Sequence, residues 1–70
     1  MTDKSIMRYA KIICDLEKKR NTAEKEGNSD LLYDFEDKIY KTMSEFMTVS
    51  KFNLDDALRL DEVVQKLLTN

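Results

Sequence analysis

Between Leu31 and Val49 the chain reads LLYDFEDKIYKTMSEFMTV, with neither proline nor glycine to interrupt it. Successive residues of a helix are rotated by about 100°. At that step Leu31, Leu32, Phe35, Ile39, Tyr40, Met43, Phe46, Met47 and Val49 fill roughly half the circumference, with Tyr33 at its margin. A helix resting on a single neighbour needs an apolar stripe only a little over about 100° wide. This segment is therefore expected to lie between two neighbours and to organise the fold. The absence of proline, the single glycine and the abundance of Lys, Glu, Asp, Leu and Met predict an all-α chain throughout.

The 70 residues form one helical domain, 1–70. A domain of this size buries only about 60% of the surface its unfolded chain exposes, so one core leaves a thin margin of stability. Cys14 is the only cysteine and there is no histidine. A disulfide within the chain, the usual zinc sites and Ser/His or Cys/His catalysis are thereby excluded. One glycine also excludes phosphate-cradling loops. Charges at Asp3, Lys4, Arg8, Lys11 and Asp15 break up any leader or membrane span near the start, and a soluble, cytoplasmic protein is expected.

Helix one is expected over residues 3–26, capped by Thr2 or Asp3. Ile6, Tyr9, Ile13 and Leu16 follow the spacing of helices that pack lengthwise, and Met7, Ala10, Ile12 and Cys14 widen the seam. Gly27 ends this helix, and Asn28 or Ser29 caps the next, 29–49. Asn53 followed by Leu54, Asp55 and Asp56 starts a third helix, 54–68, expected against the broad face of the second.

The short link predicts an antiparallel hairpin. Folding it about residues 27 and 28 opposes Leu16 to Ile39, Ile13 to Met43, Tyr9 to Phe46 and Ile6 to Val49. The same register sets Arg20 against Glu36, the two residues that interrupt their apolar faces. An ion pair there is expected to fix register more than to add stability, because such pairs recover little beyond their desolvation cost. In helix three, Asp61 projects into the middle of the apolar face, which points either to pairing with a nearby Lys or Arg or to a contact with a partner.

Three such wide faces exceed what one three-helix unit can hide, so completion by homodimerisation or by a docked protein is expected. Tyr33, Tyr40, Met47, Phe52 and Asp61 are the candidate partner-binding residues, the aromatics because large amphipathic rings contribute much at interfaces. No catalytic residue, metal ligand or cofactor site is expected. Lys4, Lys11, Lys18 and Lys25 recur every seven residues and with Arg8 could track a phosphate backbone. Acidic neighbours and a net charge of −2 make nucleic acid the weaker expectation.

FNLDDALRLDEVVQKLL, residues 52–68, resembles the second helix of the small sporulation-type aspartyl-phosphate phosphatases, helical hairpins that act on response regulators. Their Ser-Gln-Glu-Leu-Asp signature corresponds here to Asp61, Glu62, Val63, Val64 and Gln65, without the serine or the terminal aspartate. The resemblance thus implies binding rather than phosphatase activity. Together these features lead us to expect a non-enzymatic interaction module, a small acidic regulator or inhibitor docking on a larger protein as a homodimer. A phage or mobile-element inhibitor fits that profile, as does a host adaptor. A phospho-aspartate phosphatase and a nucleic-acid contact are the alternatives.

Overall fold

The computed structural model describes residues 1–69, which form three helices: α1 (Asp3–Lys25), α2 (Ser29–Val49) and α3 (Leu54–Thr69). Each begins at a side-chain cap. The Thr2 hydroxyl accepts from Ser5 N–H, Asn28 Oδ1 from Leu31 N–H and Asn53 Oδ1 from Asp56 N–H. These are short polar side chains at the positions where a helix start leaves donors unpaired.

The two links share one hydrogen-bond pattern. After α1, Asn28 N–H donates to Ala23 C=O and Gly27 N–H to Glu24 C=O, with Gly27 at φ 67°. After α2, Phe52 N–H donates to Met47 C=O and Lys51 N–H to Thr48 C=O, with Lys51 and Phe52 both at φ 57°. Both are left-handed helix closures of the Schellman type. Only the first carries the glycine that makes this conformation inexpensive. A Cβ at position 27 would meet nothing within 4 Å, so any penalty for Gly27→Ala comes from the backbone alone. Thermal or urea unfolding should show Gly27→Ala less stable by about 1 kcal/mol. Lys51→Gly should be more stable by about 0.5–1 kcal/mol. The same sign for both substitutions would contradict this account.

The core lies at one end of the molecule. It gathers Ile6, Ala10 and Ile13 from α1, Phe46 from α2, and Leu60 and Val64 from α3. The Tyr9 and Phe46 rings meet in a T-shaped arrangement, with centroids 5.4 Å apart and planes at 78°, as the hairpin register requires. α1, not α2, is the central helix: α2 and α3 each pack on α1 and touch one another only marginally. This overturns the expectation that α3 lies on the broad face of α2. Ala10, fully buried and small, lets α1 offer close approach to both neighbours.

Polar ties draw the start of α3 onto the start of α1. The Met1 ammonium donates to Asp56 Oδ2 at 3.2 Å, with both groups nearly fully buried. Arg59 Nη1 reaches Asp56 Oδ1 at 3.5 Å, and its Nη2 pairs with Asp3. Arg59 thus pairs with both Asp56 and Asp3. α3 runs parallel to α1 and antiparallel to α2.

The arrangement is open and flat. The radius of gyration is 12.6 Å and the principal extents are 37 × 26 × 15 Å, against a radius of about 11 Å for a compact domain of this length. Met7 and Ile12 of α1, and Val49 of α2, remain substantially exposed instead of joining the seam.

Candidate functional surface

Because α2 and α3 flank α1 without closing on each other, an apolar cleft of about 230 Å³ runs between them. Ile13 of α1 lies at its base, Ile39 and Met43 line it from α2, and Ala57, Leu60 and Leu68 from α3. Val64 and Gln65 complete the α3 side. Its two charged lining residues, Glu17 of α1 and Asp61 of α3, are both acidic.

Met43 joins this cleft to two shallower recesses. One, shared with Ile39 and Glu17, is bordered by Arg20, Glu36 and Tyr40. The other brings Tyr40, Met47 and Phe52 together with Ser44 and Thr48. Tyr33, Tyr40 and Met47 recur every seven residues, which places them along one line of α2 with only slight angular drift. Phe52 is carried to the end of that line by the left-handed closure after α2. Tyr33, Tyr40 and Phe52 are 78%, 71% and 70% exposed, while Met47 is half-buried.

Of the five residues singled out in the sequence, Tyr40, Met47 and Phe52 therefore share one recess. Tyr33 stands in a separate polar depression with Glu36 and Asp37. Asp61 lies apart from the aromatics, exposed at the rim of the cleft. Among the described residues it has no Lys or Arg partner, which removes the first of the two readings given for it. Arg20 Nε lies 3.7 Å from Glu36 Oε2, across the hairpin, and Arg20 Nη1 lies 3.6 Å from Glu24.

Sequence reasoning missed Glu17, Ile39, Met43, Ala57 and Leu68 as surface-forming residues. Apolar spacing marked Ile39, Met43 and Leu68 as inward-facing, and spacing cannot show that the helices they face are splayed apart.

The electrostatics beside this surface are those of a solvated helix. Lys38 and Lys41 bridge to Asp34 and Asp37 at 3.4 and 2.9 Å, and Lys38 lies over the Phe35 ring. The hydrogen bond and the charge of Asp37 raise the Lys41 pKa above its ordinary value. Burial, then the charge of Glu45 and the 3.3 Å hydrogen bond that Tyr9 donates to it, raise the Tyr9 pKa. Tyr9 therefore stays a neutral donor through the physiological range. Among the described residues, no group of three or more His, Cys, Asp or Glu side chains could hold a metal ion, and no helix is long and apolar enough to cross a membrane. No protein-family model, curated protein or solved structure matches the chain.

Proposed function

We propose that this protein is a non-catalytic interaction module, a small acidic regulator or inhibitor that docks on a larger protein through the α2 line and the adjoining cleft. The observation that carries this reading is the concentration of large apolar side chains left in water on α2, the second link and the start of α3. Leu31, Tyr33, Tyr40, Val49, Phe52, Leu54 and Leu58 are all exposed there. Scattered exposed apolar residues are ordinary, but Tyr40 and Phe52 meet Met43 and Met47 in one recess that Met43 joins to the cleft, and Met and aromatic side chains are the composition of an interface core.

Affinity capture with the full tagged chain, from the cells that make it, tests the reading. The wild type should retain a larger protein at fixed stoichiometry, and Tyr40→Glu/Phe52→Glu should lose it at least tenfold. Both positions are exposed, so the variant should melt within a few degrees of wild type, a stability change of about 0.5 kcal/mol or less. Equal capture by both proteins would remove the α2 line as the docking surface.

A further inference from the structure

We infer that the cleft between α2 and α3 receives a single basic amphipathic helix from the partner protein, completing a four-helix bundle. The inference rests on the interaction-module reading above and adds the chemistry of the partner. Three helices arranged as a central α1 with two flanks leave one vacant position, opposite α1 and between α2 and α3. A helix laid there would set its apolar side chains, spaced at three and four residues, against Ile39 and Met43 on one side and Ala57 and Leu68 on the other. A volume of about 230 Å³ suits the side chains projected by successive turns of one helix rather than a helix body.

Charge selects the occupant. Glu17 and Asp61 sit on different helices, both line the cleft, and among the described residues neither has an ion-pair partner. On α2, Asp34, Asp37 and Glu36 are already matched, by Lys38, Lys41 and Arg20. A carboxylate beside apolar surface becomes more costly as water is excluded, unless the incoming surface brings a cation. Lys or Arg flanking the apolar stripe of the incoming helix would supply one to each. A second copy seated face to face would instead bring Glu17 and Asp61 toward the same residues of its mate, since a two-fold contact uses one patch twice. Nucleic acid and anionic membrane surfaces are disfavoured by the same two charges.

The test is a titration of the isotope-labelled full chain, followed by amide shifts. The probe is a synthetic amphipathic peptide of about five helical turns, with leucines at the apolar positions and flanking lysines. A twin peptide carries glutamate in place of lysine. The lysine peptide should shift Ile39, Met43, Ala57 and Leu68 saturably, and the glutamate twin should bind at least tenfold more weakly. Glu17→Gln/Asp61→Asn should lower affinity for the lysine peptide about tenfold, and added salt should shrink the difference between the peptides.

Equal affinity for both peptides, shifts confined to other residues, or no saturable binding would overturn the inference. So would light scattering that showed a dimer at every concentration with these four residues covered. If the Tyr40→Glu/Phe52→Glu protein loses its partner while Glu17→Gln/Asp61→Asn does not, the interaction module stands and the basic helix falls.

Discussion

Phe46→Ala is expected to lower stability by about 3–5 kcal/mol, the usual cost of removing a buried aromatic ring. Phe46 is the one fully buried residue of α2 and the point at which all three helices meet. Its ring makes a T-shaped contact with Tyr9 and shares the core with Ala10, Leu60 and Val64. Because Ala10 is already small and fixed at the helix contact, the surroundings have little freedom to collapse into the space. A domain of this length typically has roughly 4–10 kcal/mol in hand, so the variant should lose a large share of its stability and melt at least about 10 °C below wild type. Circular dichroism through a thermal scan measures this directly. A melting temperature within a few degrees of wild type would show that the core is not organised around this ring.

The second large effect is expected at Asp56, where Asp56→Ala should cost about 3–5 kcal/mol. The mechanism differs from that of Phe46, because little volume is lost. Asp56 is buried beside the Met1 ammonium, so its removal leaves that charge enclosed without a counter-ion. Arg59, half-exposed, can turn to Asp3 and to water and loses less. The cost should change little between low and moderate salt, since a buried pair is screened less than a surface one. Asp15→Ala, which breaks an exposed pair with Lys19, is the control and should cost a few tenths of a kcal/mol. Urea unfolding of the two variants compares them, and equal losses would mean that the Asp56 pair behaves as an ordinary surface contact.

These two expectations separate what holds the fold from what the exposed surface does. Tyr40 and Phe52 carry large apolar area that the folded monomer does not use, so substitution there should act on binding. Phe46 and Asp56 have little access to solvent, and substitution there should act on stability. Met43 belongs to both groups, packed against the core cluster and lining all three recesses.

Local chemistry determined much of this molecule. Helix limits follow from caps and stops that act within four residues: Thr2, Asn28 and Asn53 at the starts, and Gly27 at the first closure. The hairpin register was legible because two apolar faces and one oppositely charged pair, Arg20 and Glu36, agree on a single alignment. The left-handed closure at Lys51 and Phe52 carried no such mark, since it uses residues that do not prefer that conformation and is imposed by the chain's need to turn.

What the tertiary structure alone decided is which helix stands at the centre, and therefore where the open surface lies. Apolar periodicity shows how wide a face is but not which neighbour covers it, and α2 and α3 have faces of similar width. The choice fell to α1 through a small residue, Ala10, which permits close packing on both sides, and through the contacts of Met1, Asp3, Asp56 and Arg59. Met1 and Asp3 lie more than 50 residues from Asp56 and Arg59 in the chain, where no local spacing rule operates. With α3 held to α1, Ile39, Met43 and Leu68 became the walls of a cleft, and Asp61 was left at its rim without a cation among the described residues.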